Sequence, residues 1–214
     1  MRHFPPRSCA LLEPPADPVL GKRIARRDAL DARASLPLAY RLQADRLVCA
    51  RLLQLPAVLG AHSVALYLSR APEVDTWELA SQLRCRGQRV LAPRAIPCSR
   101  DLIFHALDSG AALRTGPFGI AEPDPASCGE PVSRDAIDVV IAPVVAFDAS
   151  CRRIGMGKGY YDRFLAGCPL ALSIGLAYEI QRVDAIPVEP HDRPLALVAT
   201  EIRWYGDGAE EMDA

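Results

Sequence analysis

Residues 136–164 read AIDVVIAPVVAFDASCRRIGMGKGYYDRF and decide the fold. The apolar run at 136–148 predicts a buried strand, which is the strongest strand signal in the chain. Three alternating glycines follow it, and a helix of about two turns is predicted from Tyr160 onward. A strand, a glycine loop and a helix in this order indicate an α/β domain. Ligands of such domains bind outside the carboxyl ends of strands, and the glycine loop lies at such an end.

The segments on either side alternate between strand and helix patterns. Strands are predicted at 63–69, 89–95, 101–108 (at or near an edge), 170–178 and 195–202. Helices are predicted at 18–36, with Asp17 as N-cap, at 37–55 and at 75–87. This alternation predicts a single three-layer α/β domain over residues 18–205, with a largely parallel central sheet flanked by helices. The proline-rich residues 1–17 are predicted to form a disordered tail, and residues 206–214 a frayed acidic tail.

The balanced composition argues against several classes of partner. The chain has 214 residues, with 25 Lys and Arg against 26 Asp and Glu, and a formal net charge of −1. Bulk charge therefore does not favour nucleic acid or a membrane surface, and an anionic ligand would need a local basic cluster. Seven scattered cysteines show no metal-binding spacing, which predicts reduced thiols in a cytoplasmic protein. No apolar run is long enough for a transmembrane helix, and a monomer is expected because no apolar surface stripe is evident.

The glycine loop does not fit the two common phosphate-loop patterns. A Walker A loop would need glycine at 152 and a hydroxyl residue at 159, where the chain has Arg152 and Gly159. A Rossmann fingerprint would need a third glycine where Tyr160 stands. The loop therefore belongs to neither class, and its ligand must be inferred from its chemistry.

That chemistry favours a phosphate ligand. Alternating glycines let successive backbone N–H groups turn toward one point, and a following helix adds a partial positive charge. Arg152, Arg153 and Lys158 supply full charges that can pair with phosphate oxygens. The tyrosines at 160–161 could stack on a flat ring or donate hydroxyls, and Asp162 could hold magnesium through water. The alternative is a glycine-rich turn with a solvated basic rim.

The loop and several other segments resemble one enzyme family. Residues 152–165, RRIGMGKGYYDRFL, closely resemble the corresponding segment of 5-formyltetrahydrofolate cyclo-ligases, also called 5,10-methenyltetrahydrofolate synthetases. Other segments resemble the family in the same order: KRIAR (22–26), LYLSRAPEVDT (66–76), VLAPR (90–94), GPFGIAEP (116–123), IDVVIAPVVAFD (137–148), EPHD (189–192) and LVATE (197–201). The resemblance covers residues 20–202 and implies a fold of the NagB/RpiA/CoA-transferase-like group.

The resemblance implies a reaction that uses ATP and Mg2+. 5-Formyltetrahydrofolate is cyclised to 5,10-methenyltetrahydrofolate, and ADP and phosphate are released. The formyl oxygen attacks the γ-phosphate to give an N5-iminium phosphate, and N10 then attacks the activated carbon. Phosphoryl transfer of this kind depends mainly on alignment and charge neutralisation, which a loop with backbone N–H groups and a lysine supplies. The implied partners are small molecules, ATP and 5-formyltetrahydrofolate.

The resemblance also implies a set of site residues. The catalytic residues it implies are Lys158, Arg153 and Tyr160. The ATP-binding residues are Lys22, Arg26, Arg153, Ile154, Gly155, Met156, Gly157, Lys158, Gly159, Tyr160 and Tyr161. The folate-binding residues are Leu68, Glu73, Met156, Gly157, Lys158, Gly159 and Tyr160. The magnesium ligands are Asp162 and Asp192.

Without the resemblance, several of these residues have ordinary interpretations. Lys22 and Arg26 would belong to a solvated helix face. Glu73 would be a loop carboxylate, and Asp192 a turn residue. At Met156 the family also has basic or aromatic residues, which leaves the local placement of phosphate or folate open.

Nearby residues are given structural roles. Arg23 and Arg27 are predicted to form the solvated face of the first helix. Trp77, at helical spacing, is interpreted as a core residue rather than a stacking platform. His191 is interpreted as a turn residue rather than a metal ligand.

Three functions remain open at this level. The first is the ATP-dependent cyclo-ligase, and the second is a non-catalytic folate- or nucleotide-binding relative of the same fold. The third draws on the sugar-phosphate isomerases and CoA transferases of the wider fold group, which need other catalytic carboxylates. The first is favoured because the chain has all four residues that it requires together: Lys158, Asp162, Asp192 and Glu73.

Overall fold

The computed structural model of the chain describes residues 17–108, 110–190 and 192–212. Its helices are α1 (Pro18–Ala34), α2 (Leu38–Leu52), α3 (Pro56–Leu59), α4 (Trp77–Cys85), α5 (Tyr160–Ala166) and α6 (Ala209–Met212). Its strands are β1 (Ser63–Leu66), β2 (Arg89–Ile96), β3 (Asp101–Ala106), β4 (Leu113–Thr115), β5 (Ala121–Pro123), β6 (Val139–Pro143), β7 (Ala146–Phe147), β8 (Arg153–Ile154), β9 (Leu172–Leu176), β10 (Leu197–Ala199) and β11 (Trp204–Gly206). The tail predicted at residues 1–17 lies outside the described residues, except for Asp17.

In the described residues, seven strands form one mixed sheet in the order β11–β10–β9–β6–β1–β2–β3. The five inner strands run parallel, and the edge strands β3 and β11 are antiparallel to their neighbours. β6 lies at the centre, with Val140 opposite Ala65 of β1 and Ile141 opposite Ile174 of β9. The predicted largely parallel sheet and the edge position of residues 101–106 are therefore confirmed. The grouping with the NagB/RpiA/CoA-transferase-like folds stays a prediction.

The apolar core lies on both faces of this sheet. Val64 and Leu66 of β1 pack in one cluster with residues of α2, α3 and α4, such as Leu52. Ala65, between them in sequence, belongs to a second cluster that contains Phe164 of α5. Successive side chains of a strand point to opposite faces, so a strand of apolar residues requires cover on both sides. The three-layer arrangement follows from that requirement.

The helix α1 begins where the sequence predicts. The Asp17 side chain accepts a hydrogen bond from the Val19 N–H at 2.9 Å, and Pro18 occupies the first helical position. Both features stabilise a helix N-terminus, because an acidic side chain satisfies a free N–H and proline has none to satisfy. α1 packs against β7, β8 and the 3₁₀ turn at Glu179–Gln181. The helix is thereby placed across the glycine loop.

The strand predicted over the whole apolar run is divided in the structure. β6 ends at Pro143, and Ala146–Phe147 pair with β8 in a separate ladder. Between them, the carbonyl oxygens of Val144 and Val145 accept hydrogen bonds from the Gln181 amide at 2.9 and 2.8 Å. Because a side chain satisfies these carbonyls, the chain can leave the sheet here. The departure opens space above the carboxyl end of β6.

The C-terminal end contributes structure beyond the predicted boundary at residue 205. Trp204 begins β11 with a buried side chain, and Ala209 is buried at the start of α6. The frayed tail predicted at 206–214 therefore differs from the structure over 206–212, and residues 213–214 lie outside the described residues. A strand of three residues and a helix of four are too short to produce a periodic apolar pattern.

Two bulk properties of the sequence can be compared with the described residues. None of the helices in these ranges combines the length and the apolar character needed to cross a bilayer. The six cysteines in the described ranges are free thiols. Burial raises the pKa of the Cys49 and Cys151 thiols to about 11, so both stay protonated at neutral pH.

Candidate active site

A cavity of about 780 Å³ opens beside the glycine loop. It lies at the carboxyl ends of β1 and β6, between α1, the segment that follows β1 and the β4–β5 hairpin. Its volume is in the usual range for small-molecule sites. All the predicted site residues lie in its wall: Lys22, Arg26, Leu68, Glu73, residues 153–162 and Asp192.

The glycine loop has a left-handed backbone at two of its three glycines. Gly157 has φ 80° and Gly159 has φ 69°, in a region that glycine occupies at little cost. Arg26 holds the loop to α1, because its Nε donates a hydrogen bond to the Gly155 carbonyl at 2.7 Å. Within the described residues, no protein group accepts a hydrogen bond from the backbone N–H groups of residues 155–159. These donors are therefore available to an anionic ligand.

We expect Gly157→Ala to lower the free energy of unfolding by about 1–2 kcal/mol, because a left-handed backbone is unfavourable for alanine. The new Cβ would also lie 3.2 Å from an Arg26 nitrogen. Gly155→Ala is the matched control, since its Cβ would meet its nearest neighbour, an Arg153 nitrogen, at an ordinary 3.7 Å. Chemical denaturation of both variants makes the comparison. An equal loss in the two would show that the left-handed conformation is not the cause.

Lys22 is the centre of one ion-pair cluster. Its Nζ lies 2.6 Å from Glu189 Oε2 and 2.5 Å from Asp192 Oδ2. Burial works to lower the pKa of Lys22, but hydrogen bonds and charges from Asp192 and Glu189 outweigh burial, and the pKa is raised. The cation predicted to bind phosphate and the carboxylate predicted to bind magnesium thus contact each other directly. His191, between these carboxylates in sequence, lies outside the described residues.

Arg153 and Asp162 form a second ion pair. Arg153 Nη2 lies 2.9 Å from Asp162 Oδ1, and only 4% of the Arg153 side chain is exposed. The Arg193 N–H donates to the same oxygen at 3.4 Å. The Nε of Arg153 is buried and has no hydrogen-bond partner among the described residues. A buried donor without a partner is unfavourable, and an acceptor on a bound ligand would remove that penalty.

Lys158 is an exposed cation of the loop. No carboxylate in the described part of the chain forms an ion pair with it. Its Nζ lies 5.4 Å from the centroid of the Phe118 ring, and that ring meets Tyr160 edge-on with centroids 5.8 Å apart. Lys158 therefore lies at the border between the basic and the aromatic parts of the cavity.

The other end of the cavity is formed by the segment after β1. Leu68 is buried there, and Glu73 Oε2 accepts a hydrogen bond from the Arg70 N–H at 3.0 Å. Tyr161 lines the same cavity, and burial together with the charge of Glu73 raises the pKa of Tyr161 well above its usual value. The Tyr161 hydroxyl is buried and has no hydrogen-bond partner within the described ranges. This end combines an anionic acceptor with an unused neutral donor.

Two expectations about individual residues were wrong. Arg152, one of the charges expected to reach phosphate, is absent from the cavity wall in the described structure, and its Nη1 lies 3.8 Å from Asp148. Arg23 is exposed, as predicted, and also lines the cavity. Trp77, expected in the core, is 39% exposed. It begins α4, and its indole N–H donates to the Ser69 carbonyl at 3.1 Å, so its ring stays at the surface.

Several residues that line the cavity had no role predicted from the sequence, among them Arg33, Phe118, Glu122 and Glu189. Arg26 follows Lys22 on α1 by four residues and Arg33 follows Arg26 by seven, which places all three on one helix face. That spacing was a usable signal. The other three lie in GPFGIAEP and EPHD, which were matched as segments without individual roles. Glu122 pairs with Arg114 at 2.9 Å.

Comparison with known proteins gives these residues a family context. The model of the 5-formyltetrahydrofolate cyclo-ligase family matches residues 20–201. The 5-formyltetrahydrofolate cyclo-ligase of Escherichia coli K12 is 37% identical over 153 residues, which covers 70% of this chain and 84% of that protein. The enzyme of the same name from Haemophilus influenzae is 32% identical over 166 residues, which covers 76% of this chain and 88% of that protein.

Solved structures agree with the fold. The NMR structure of 5,10-methenyltetrahydrofolate synthetase from Aquifex aeolicus superposes with a TM-score of 0.76 at 31% identity, covering 86% of this chain and 92% of that one. A 5,10-methenyltetrahydrofolate synthetase from Mycoplasma pneumoniae gives a TM-score of 0.67 at 24% identity, covering 84% and 98% of the two chains. The second likeness supports the fold alone.

Proposed function

The chain belongs to the 5-formyltetrahydrofolate cyclo-ligase family and is an enzyme, and we propose that it couples ATP cleavage to the cyclisation of 5-formyltetrahydrofolate. The products are 5,10-methenyltetrahydrofolate, ADP and phosphate. The observation that carries this proposal is that one cavity is lined both by the basic glycine loop and by apolar and aromatic side chains. Two substrates can meet there, with the loop between them.

The basic end suits the phosphates of ATP. The N–H groups of residues 155–159 are available, and Lys22, Arg26 and Lys158 lie in the same wall. Phosphate oxygens bind well to such a set of backbone donors and cations, because a hydrogen bond to an ionised phosphate is charge-assisted and the lysine and arginine donors are themselves charged. We infer that the γ-phosphate lies over the loop, toward Lys158.

The other end suits the folate ring system. Leu68, Tyr160 and Phe118 supply apolar and aromatic surface, and Glu73 supplies an acceptor for the donor edge of a pterin. Folate bound in this way would direct its formyl group toward Lys158, at the border of the two ends. The two reacting groups would then be held close together, which can lower the barrier by several kcal/mol.

The proposed chemistry has two steps. The formyl oxygen attacks the γ-phosphorus, an O–P bond forms, and the bond from γ-phosphorus to the bridging oxygen of ADP breaks. N10 then attacks the activated carbon, a C–N bond forms, and the C–O bond to phosphate breaks, while the N10 proton passes to the departing phosphate. Lys158 stabilises the charge on the transferring phosphoryl group, and Arg153 and Tyr160 hold the substrates beside it.

The carboxylates of the site fit a magnesium ion. Asp162 and Asp192 both line the cavity and offer the oxygen ligands that Mg2+ prefers. Within the described residues there is no group of three or more His, Cys, Asp or Glu that could form an all-protein metal site. That suits Mg2+, which usually binds one or two carboxylates together with substrate phosphates. When bound, the ion would neutralise charge on the phosphates.

The two ion pairs give these carboxylates a defined position before substrates bind. Asp192 is paired with Lys22 and Asp162 with Arg153. Each cation can bind phosphate oxygens instead of its carboxylate. We propose that when ATP and Mg2+ bind, Lys22 and Arg153 pair with the phosphates, and Asp192 and Asp162 bind the metal ion. No observation favours a non-catalytic binding protein, since each residue that the reaction requires lines the cavity.

A direct assay tests this proposal. Purified protein is mixed with 5-formyltetrahydrofolate, ATP and Mg2+, and the near-ultraviolet absorbance of the methenyl product is followed while ADP is quantified. We expect one ADP per methenyl product formed, and no product when ATP is replaced by a non-hydrolysable analogue. Folded protein that produces no absorbance rise, or a rise independent of ATP, would contradict the proposed reaction.

A further inference from the structure

Arg33 is a buried cation in the cavity wall, and it has no acidic partner among the described residues. The residue is 5% exposed and lines the cavity from α1. Its Nη1 makes one long hydrogen bond, 3.4 Å to the Val144 carbonyl. Its Nε is buried and has no partner, and no carboxylate in the described ranges forms an ion pair with it.

This arrangement is energetically unfavourable for the free protein. A buried charge needs pairing and hydrogen bonds to offset the loss of water, and Arg33 has one weak bond. The Val144 carbonyl is also satisfied by Gln181 at 2.9 Å, so Arg33 is not required to cap it. A buried donor that faces a cavity and lacks a partner indicates a ligand acceptor at that place.

The position of Arg33 favours an acceptor other than a phosphate group. Arg33 lies seven residues after Arg26, so their Cα atoms are separated by about 10.5 Å along the helix axis. Arg26 contacts the glycine loop, where we place the phosphates. A solvent-facing tail of the folate is disfavoured as well, because Arg33 is almost completely covered. The acceptor that fits best is the buried pterin ring of the substrate.

Glu73 and Arg33 lie at the same end of the cavity. Both charges act on the buried Tyr67 hydroxyl: burial raises the pKa of Tyr67, the charge of Glu73 raises it further, and the charge of Arg33 opposes them. Glu73 and Arg33 form no ion pair with each other among the described contacts. The Glu73 carboxylate, an acceptor, and the Arg33 guanidinium, a donor, therefore lie at the same end of the cavity without contacting each other, and their charges sum to zero.

We propose that Arg33 is a specificity-determining residue that donates hydrogen bonds to the 4-oxo group of the pterin ring, while Glu73 accepts from the adjacent N3–H and 2-amino group. This inference rests on the proposed function. The ring is neutral and presents donors beside an acceptor, which matches a carboxylate beside a guanidinium. Neither side chain then needs a protein partner, because the substrate connects them.

The test compares two folates on three proteins. The folates are 5-formyltetrahydrofolate and the same molecule with the 4-oxo group replaced by an amino group, which turns the acceptor at position 4 into a donor and also removes the proton from N3. The proteins are wild type, Arg33→Met and, as control, Arg27→Met. Arg27 lies on the same helix but is exposed and pairs with Asp28 at 2.8 Å. Dissociation constants are measured by titration without nucleotide, and KM for ATP is measured separately.

Wild type and Arg27→Met should bind the oxo ring at least about tenfold more tightly than the amino ring, as expected for a charged hydrogen bond. Arg33→Met should weaken binding of the oxo ring about tenfold and lower the preference for that ring by a similar factor, and any preference that remains comes from the N3–H bond to Glu73. KM for ATP should stay unchanged. Equal weakening of both rings, with the preference retained, would assign Arg33 a purely structural role and overturn the inference.

Two further measurements keep the outcome decisive. Arg33→Lys retains the charge and a donor, so it should keep part of the oxo preference even if Arg33→Met does not fold. An Arg33→Lys protein that binds both rings more weakly by the same factor, with the wild-type preference unchanged, would also contradict the inference. A wild-type protein that binds neither folate and forms no methenyl product would instead refute the proposed function itself.

Discussion

Lys158→Ala is expected to lower kcat by about two orders of magnitude or more, in line with the loss of a group that stabilises charge in the transition state. Lys158 has no carboxylate partner in the described structure, and its side chain is exposed to the cavity. Its removal therefore leaves no buried charge and should barely affect stability. The predicted loss is in turnover, and the measurement is the steady-state rate of methenyl formation with saturating ATP and folate.

Arg152→Ala is the matched control for this experiment. It removes one positive charge six residues earlier, from a side chain that is exposed and does not line the cavity in the described structure. If general attraction of anions were the cause, both variants would lose turnover alike. Near wild-type kcat for Lys158→Ala would remove Lys158 from the mechanism.

Asp162→Asn is expected to raise the Mg2+ concentration needed for half-maximal activity by about 10- to 100-fold. Loss of a residue that only supports a metal ligand has an effect of this size, and loss of the ligand itself should have at least the same effect. An asparagine oxygen can still accept the hydrogen bond from Arg153, so the local structure should persist. The substitution removes the negative charge of the carboxylate, which Mg2+ requires for tight binding. Folate binding without nucleotide should change little, since Asp162 lies at the basic end of the cavity.

Asp28→Asn provides the control for loss of a carboxylate charge. Asp28 is exposed on α1 and pairs with Arg27, outside the cavity wall of the described residues. Its substitution should leave the Mg2+ titration unchanged. A titration of Asp162→Asn that overlays wild type would contradict the metal role of Asp162, whatever its effect on kcat.

The sequence predicted the central fold because its signals there are local. An apolar run of strand length, a proline at the start of a helix and glycines after a strand each act within a few residues. β11 and α6 were missed because they are short and depend on burial of Trp204 and Ala209 against distant parts of the chain. The break after Pro143 was missed for a similar reason, since Gln181 supplies the hydrogen bonds that permit it.

In the site, too, some features could be predicted from the sequence and others depend on tertiary contacts. The loop from Arg153 to Asp162 was evident from residue types and spacing, and the resemblance to the family added Lys22, Arg26, Leu68, Glu73 and Asp192 as neighbours. Their placement around one cavity agrees with that expectation, while their individual roles stay predictions. The pairing of Lys22 with Asp192, and of Arg153 with Asp162, had no signal in the sequence.

By itself, the sequence determined the α/β pattern, the anion-binding character of the loop and the residue types available for catalysis. These properties depend on backbone preference, periodicity and side-chain chemistry, which act over a few residues. Only the tertiary structure decided which charges are neutralised and which are left for ligands. Lys158 and Arg33 have no acidic partner in the described residues, while Arg152 lies near Asp148 and away from the cavity. The reason is physical: charge pairing and burial depend on distances between segments far apart in the chain, and folding alone sets those distances.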